Sequence, residues 1–334
     1  MIFVTGGTGL VGSHILLKLA QDGEPFKALK RPSSSLNICR NVFLEYNQAE
    51  LFTRINWIDG DINDIPSLEI AIQNCEYILH CAAIVSFHPS DVDLLKKVNI
   101  EGTANMMNVA LTSSVKKVGY ISSIAALGRN STEEIVDEDC HFTATKFDSN
   151  YAFSKYYAEQ EVWRASQEGL DVVIINPSVI LGPGDWTKGS SQIFQRIYKG
   201  LKFYSTGSTG YVDVIDVANS LISLLFSDIK NERFIVNGSN LKYRDIFDRI
   251  AANFDKPKAS IKVSPLLKEI AWRLEAIRSF ISGKKPLITK ETANSAMTDS
   301  SYSAEKIIKT IGFIFTDIDI TIKRYCDWYI KDLK

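Results

Sequence analysis

Thr5-Gly6-Gly7-Thr8-Gly9-Leu10-Val11-Gly12 follows a short apolar run, Ile2–Thr5, and opens a segment, Val11–Gln21, whose apolar residues recur at three- and four-residue steps. A glycine-rich turn between a strand and a helix is a specific physical device. The glycines permit a tight turn and close backbone approach, while the helix N-terminus presents unpaired N–H groups and a positive dipole end to a pyrophosphate. The flanking strand and helix separate such a turn from a glycine pattern without a ligand. Thr5, Gly6, Gly9, Leu10, Val11 and Gly12 are therefore candidate dinucleotide contacts, whereas His14, one turn into the helix, reads as packing.

Outward from this turn, short apolar runs alternate with longer helical patterns. Strands are expected at Ile2–Thr5, Phe26–Leu29, Ile55–Ile58, Tyr77–Cys81, Val118–Ser122, Val172–Asn176 and Phe234–Val236, with helices at Val11–Gln21, Asp91–Thr112 and Tyr151–Glu168. Such alternation predicts an α/β fold, a doubly wound parallel sheet of Rossmann type. Gly, Pro, Ser and Thr cluster after Pro177, yet a strand-like and helical stretch returns at Tyr211–Phe226. The expected organisation is a cofactor domain from 1–177 and 211–237, interleaved with a smaller, mainly helical substrate-binding region from 178–210 and 238–334.

The 334 residues carry 38 Lys and Arg against 39 Asp and Glu, a net charge of −1 and a pI of about 6.5, which argues against nucleic acid as a partner. Five scattered cysteines (Cys39, Cys75, Cys81, Cys140, Cys326) form no Cys-x-x-Cys pair, as expected for a reducing cytoplasm, and no metal is called for. No signal peptide is read at the N-terminus. The Leu266–Ile281 stretch carries Lys268, Glu269, Arg273, Glu275 and Arg278, so it reads as an amphipathic helix, without membrane insertion.

The usual dinucleotide fingerprint places an acid about 20 residues beyond the glycines, on the ribose hydroxyls of NAD. Here the stretch is Ala28-Leu29-Lys30-Arg31-Pro32, without a carboxylate. A guanidinium pairs with a 2′-phosphate that an acid would repel, so Lys30 and Arg31 favour NADP over NAD, unless they form a solvated basic turn. Asp61 and Ile62, after the third strand, are placed to meet adenine, although a surface turn would use the same residues.

Tyr151 and Lys155 stand four apart, one helical turn, on the same face. A phenol near pKa 10 is a poor proton donor at neutrality. Bringing it towards 7 takes about 4 kcal/mol, which Lys155 and a positive nicotinamide could supply.

With the glycine turn, His80-Cys81-Ala82-Ala83, Asn99, Ser122-Ser123, Tyr151 and Lys155 in that order, the chain resembles the extended short-chain dehydrogenase/reductase family over nearly its whole length. The resemblance implies that a serine binds the substrate oxygen, the tyrosine exchanges the proton, and the lysine holds the nicotinamide ribose and lowers the tyrosine pKa. Those roles fall on Ser123, Tyr151 and Lys155, with Ser122 as rival; the spacing to Gly128 favours Ser123. Asn99 matches a proton-relay asparagine of some members, or a structural residue. Cys81, Ala82, Ala83, Pro177 and Ser178 would pass beside the cofactor, although an arginine often stands at the position of Asn176.

Within the family, Thr209-Gly210 replaces the arginine that sugar-nucleotide enzymes place before the segment Tyr211-Val212-Asp213, and Ile124-Ala125 replaces the acidic pair of dehydratases. Gly182-Pro183-Gly184-Asp185-Trp186, Lys199-Gly200 and Pro286-Leu287-Ile288-Thr289 resemble the dihydroflavonol reductase and 3β-hydroxysteroid dehydrogenase-like branch. The expectation is reduction of an aldehyde or ketone on a small, largely apolar substrate, with Phe87, Trp186, Phe203, Tyr204 and the Leu266–Ile281 helix as walls. The alternatives are a nucleotide-sugar epimerase or dehydratase and a non-catalytic NADP sensor. The resemblance also allows a homodimer through the Asp91–Thr112 and Tyr151–Glu168 helices.

Overall fold

A computed structural model describes residues 1–128, 135–143, 148–282, 286 and 289–333, with the side chains of 280–282 excepted. Leu287 and Ile288 lie outside the described residues. Seven parallel strands form the central sheet: β1 (Ile2–Thr5), β2 (Phe26–Lys30), β3 (Asn56–Asp59), β4 (Tyr77–His80), β5 (Lys117–Ile121), β6 (Asp171–Pro177) and, after three short strands, β10 (Glu232–Val236). Their order is β10-β6-β5-β4-β1-β2-β3. All seven strands foreseen in the sequence are present, with ends shifted by no more than two residues.

Successive residues of each strand feed opposite layers of core. Phe3, Ile78, Val118, Tyr120, Val172 and Ile174 pack on one face, while Val4, Leu79, Ile121, Val173 and Ile175 pack on the other. Both faces are covered by helices, so the strands read as continuous apolar runs, as parallel strands do. The chain runs outward from β1 to β2 and β3, then crosses back to β4. The loops after β1 and β4 therefore diverge and leave a crevice at the carboxyl ends of the strands.

The expected Asp91–Thr112 helix is a composite: a short 3₁₀ turn, Pro89–Asp91, then α-helical Val92–Leu95, a π-helical stretch Lys96–Glu101, and α-helical Gly102–Leu111. π-Helical turns recur at functional sites. Here the stretch carries Asn99.

Beside the large sheet, β7 (Val179–Leu181), β9 (Ser208–Asp213) and β11 (Ser239–Lys242) form a three-stranded sheet in the order β11-β9-β7, and β8 (Phe203–Tyr204) pairs with β12 (Ile261–Lys262). At the end of β9 stands Asp213, which is 1% exposed. Its carboxylate caps the Val214–Leu225 helix by accepting the Ile215 N–H at 2.9 Å. It also accepts from Thr321 Oγ1 (2.8 Å), Arg324 Nη1 (2.7 Å) and Tyr325 Oη (2.6 Å) of the C-terminal helix Ile318–Asp332. One carboxylate thus ties the last helix to the sheet layer.

Two expected walls need correction. The Trp186 indole N–H donates to Asp332 at 2.7 Å, and its ring meets Phe194 and Tyr329 edge-on at 5.8 and 5.1 Å, so it joins a loop to the C-terminal helix. The Pro265–Ser282 helix leaves Leu266, Ile270, Leu274 and Ile277 at 71, 45, 61 and 56% exposure, so this apolar stripe faces solvent rather than lining a pocket. No helix among the described residues is long and apolar enough to cross a membrane.

Candidate active site

The helix Asn150–Gln167 starts where it does because the Ser149 side chain accepts the Ala152 N–H at 3.0 Å, a standard N-cap. Its first turn holds Tyr151 and its second Lys155. Ser123, just past β5, is the N-cap of a 3₁₀ turn, Ile124–Ala126; its Oγ accepts the Ala125 N–H at 3.1 Å and lies beside the Tyr151 phenol, near enough to favour its ionised form. The Phe87 ring meets Tyr151 edge-on at 5.5 Å.

Strand alternation separates the two serines. Ser122 is buried and its Oγ donates to Glu159 Oε2 at 2.5 Å, while Ser123 faces the phenol. Gly128 ends this segment because a methyl group there would lie 1.7 Å from the His141 carbonyl oxygen.

Glu159, 1% exposed, is surrounded by donors: Ser122, Asn176 Nδ2 (2.9 Å), Trp163 Nε1 (3.2 Å) and Arg233 Nη1 (3.2 Å). Asn176 Nδ2 also donates to the Ser123 carbonyl at 3.0 Å. Arg233, on the neighbouring strand β10, thus brings a guanidinium to the same cluster as Asn176. Glu159 and Arg233 had gone unread; the signal available was an acid four residues beyond Lys155 on a buried helix face.

Lys155 is 1% exposed. Its Nζ donates to the Ile121 carbonyl at 2.7 Å and to Tyr120 Oη at 3.0 Å, and sits 4.7 Å from the Tyr120 ring centroid. Burial lowers its pKa to about 7, with the charges of Glu159 and Cys81 acting in the opposite sense. Burial also pushes the Tyr151 phenol above its ordinary value, against the nearby Ser123 hydroxyl, which lowers it. The sequence led us to expect Lys155 to draw the phenol towards neutrality; two of its donors are instead directed at β5.

Asn99, also 1% exposed, pairs with the backbone of Ile84, accepting its N–H at 2.8 Å and donating to its carbonyl at 2.9 Å, and donates to Ser154 Oγ at 2.9 Å. Both amide hydrogens are engaged, so Asn99 clamps the loop after β4 to the Tyr151 helix.

In the crevice, Gly6 has φ +71°, and a methyl there would lie 2.6 Å from the Cys81 carbonyl carbon; at Gly12 it would lie 2.2 Å from the Gly6 oxygen. These two glycines are required by the backbone itself. Gly9 is not: a methyl there meets only the Gly6 oxygen, at 3.4 Å. Gly9 is the N-cap of the Leu10–Asp22 helix and no side chain caps that end, so the turn fits a pyrophosphate at the open N–H groups of Leu10 and Val11. Gly9→Ala is expected to leave stability within about 1 kcal/mol and to weaken dinucleotide binding at least tenfold. Calorimetric titration beside thermal unfolding checks this, and unchanged affinity would contradict it.

Thr5 Oγ1 accepts the N–H groups of Cys81 and Ala82, both at 3.2 Å, which brings the ends of β1 and β4 together; Ala83 follows, exposed. Lys30 is ion-paired with Asp59, so its charge is already countered, whereas Arg31 is exposed. Asp61 Oδ1 accepts from the Asn63 backbone (2.9 Å) and side chain (3.2 Å), and Ile62 packs against Gly102. Pro177 ends β6, and the Ser178 N–H donates to the Val236 carbonyl at 3.1 Å.

The family model described as NAD dependent epimerase/dehydratase family matches residues 2–236, from β1 to the end of β10. The chain belongs to that family. A Synechocystis sp. protein named, provisionally, as a dihydroflavonol 4-reductase is 28% identical over 98% of this chain and 94% of its own. Cinnamoyl-CoA reductase 1 of Petunia hybrida is 28% identical over 80 and 81% of the two chains. The crystal structure of gox2253 superposes with a TM-score of 0.82 at 28% identity, covering 99% of this chain and 98% of that one. This member of the epimerase/dehydratase family is an NAD(P)-dependent oxidoreductase of the short-chain dehydrogenase/reductase type.

Cations do gather elsewhere in this family member. A groove of about 280 Å³ is lined by Ser205, Thr206, Lys242, Arg244, Asp245 and Lys262, with the Arg244 guanidinium 4.6 Å over the Tyr204 ring. Tyr204 thus belongs to a basic groove rather than an apolar wall, and Phe203 beside it is 46% exposed.

Proposed function

We propose that the chain reduces an aldehyde or ketone with NADPH, or oxidises the corresponding alcohol. The observation that carries this reading is the Ser123 hydroxyl beside the Tyr151 phenol, where it favours the ionised form, with a buried Lys155 one turn further along the Tyr151 helix. A substrate carbonyl oxygen would lie between Ser123 Oγ and Tyr151 Oη, which polarise it. The nicotinamide, when bound, supplies the hydride to the carbonyl carbon. Tyr151 gives its proton to the oxygen, Lys155 stabilises the phenolate that results, and solvent restores the proton. Thr5, Gly6, Gly9, Leu10, Val11 and Gly12 would hold the pyrophosphate; Asp61 and Ile62 the adenine; Cys81 to Ala83, Pro177 and Ser178 the nicotinamide side. Residues 1–177 and 211–237 would make up the cofactor domain, with 178–210 and 238–334 the substrate region. Exposed Val92, Leu94 and Tyr157 are compatible with a homodimer through the two long helices, and the five free thiols with a reducing cytoplasm.

The NADP preference rests on Arg31. Arg31→Asp is expected to reverse the order of NADPH and NADH affinities, by removing a guanidinium and adding repulsion. Equal affinities in the unmutated protein, by fluorescence titration, would remove the case.

Sugar-nucleotide chemistry is the second reading, favoured by the cations of Lys242, Arg244 and Lys262 in one groove, which suit a diphosphate. A panel of apolar and aromatic carbonyls and of sugar nucleotides, followed by NADPH absorbance and product analysis, separates the two. Net NADPH consumption with carbonyls supports reduction. Conversion of sugar nucleotides alone, without net consumption, replaces it with epimerisation.

A further inference from the structure

Five fully buried polar side chains form one line from the glycine turn to the candidate active site: Thr5, His80, Thr103, Tyr120 and Lys155, none more than 1% exposed. Thr5 Oγ1 lies 2.7 Å from His80 Nδ1, and His80 Nε2 lies 3.1 Å from Thr103 Oγ1. Thr103 lies near the Tyr120 hydroxyl, and that hydroxyl accepts from Lys155 Nζ at 3.0 Å. The His80 and Tyr120 rings stack at 5.6 Å with 19° between planes.

The tautomer of this chain follows from counting lone pairs. Thr5 Oγ1 already accepts two backbone N–H groups, from Cys81 and Ala82, so its own proton goes to His80 Nδ1. Nε2 must then carry the ring proton and donate it to Thr103. Burial, reinforced by the nearby Lys155 charge, lowers His80 to a pKa of about 3, so the ring stays neutral and the arrangement does not switch at working pH. A buried polar line is stabilising only when every member is paired, and this one is anchored at one end by backbone amides and at the other by an ammonium.

We propose that Tyr120 is a positioning residue for Lys155, held in place by a tautomer-locked His80 and by Thr103, so that the aim and charge of the catalytic ammonium are tied to the strand that leads into the glycine turn. The role follows from what Tyr120 offers Nζ: a lone pair at hydrogen-bond distance and a ring face at 4.7 Å. Both favour the charged form that burial opposes. The other titratable groups around Nζ are Tyr151 and Glu159 on its own helix and His80 and Cys81 from the end of β4.

The proposal rests on the carbonyl-reductase reading for its kinetic test, and a second readout is independent of turnover. Tyr120→Phe keeps the ring and removes the lone pair. Its Lys155 Nζ midpoint, followed by ¹⁵N NMR on ε-labelled lysine and assigned with Lys155→Met, is expected to fall by about one pH unit, while the NADPH dissociation constant stays within about threefold. The basic limb of the kcat profile moves down with it, so that kcat falls about fivefold near pH 7 and converges with wild type at acid pH. ¹⁵N-histidine spectra, with only four histidines in the chain, should show His80 as the Nε2–H tautomer throughout. A Tyr120→Phe protein that is folded and leaves the Lys155 midpoint unmoved overturns the proposal, as does a His80 found protonated on Nδ1. If no carbonyl is turned over but the Lys155 midpoint moves, the reductase reading fails and the positioning role stands. Should Tyr120→Phe fail to fold, Thr103→Val, which removes the acceptor of His80 Nε2 and so frees the ring stacked on Tyr120, must move the same midpoint in the same direction; no movement there overturns the proposal.

Discussion

Tyr151→Phe is expected to lower kcat about 10³-fold, within the range that a positioned acid contributes, with the NADPH dissociation constant within about threefold of wild type. The substitution removes one oxygen. The helix keeps its Ser149 cap, the edge contact with Phe87 persists, and the glycine turn is untouched, so neither stability nor pyrophosphate binding has reason to change. A loss confined to kcat identifies an interaction made in the transition state rather than in binding. Turnover within tenfold of wild type, measured by NADPH consumption on the best carbonyl, would remove Tyr151 from the chemistry.

The largest effect on stability is expected at Glu159. Glu159→Ala removes the carboxylate paired with Arg233, whose other bonds go to the Glu138 and Cys140 carbonyls, leaves Ser122 and Trp163 without this acceptor, and takes from Asn176 one of its two acceptors. Breaking one half of a buried pair costs about 3–5 kcal/mol, because the remaining charge is left uncompensated. Ser122→Ala, which removes a single donor, should cost about 1–3 kcal/mol. Denaturant unfolding of the two variants checks the order. A Glu159→Ala loss below about 1 kcal/mol would mean that Arg233 relaxes into solvent and that the cluster does not brace the Tyr151 helix.

The parts of this fold that could be read in advance are those with a short-range physical signature. Parallel strands buried on both faces are unbroken runs such as Val172-Val173-Ile174-Ile175, and the glycine turn carries its meaning in the adjoining strand and helix. Tyr151 and Lys155 were legible because a helix fixes their relation. Features that join distant segments were not. Spacing to Gly128 favours Ser123 over Ser122 in the sequence, but only strand alternation shows one turned towards Glu159 and the other towards the phenol. Tyr120 reads as a core aromatic, since nothing in Val118-Gly119-Tyr120-Ile121 tells of Lys155 and His80 converging on it. The π-helical stretch around Asn99 inserts backbone geometry without a composition of its own. Asp213 resembled part of a strand motif, and only the return of the C-terminal helix shows it collecting Thr321, Arg324 and Tyr325. Lys242, Arg244 and Lys262 are scattered in sequence and meet at one groove because β11 and β12 bring them there.

The central claim is that Ser123, Tyr151 and Lys155 support net hydride transfer to a carbonyl carbon. Its most direct test is a reaction with NADPH deuterated at the 4-position, followed by mass spectrometry of the product. Stoichiometric deuterium at the former carbonyl carbon, lost along with turnover in Tyr151→Phe, is the predicted result; a sugar nucleotide inverted at carbon, with no label acquired and no NADPH consumed, would contradict it.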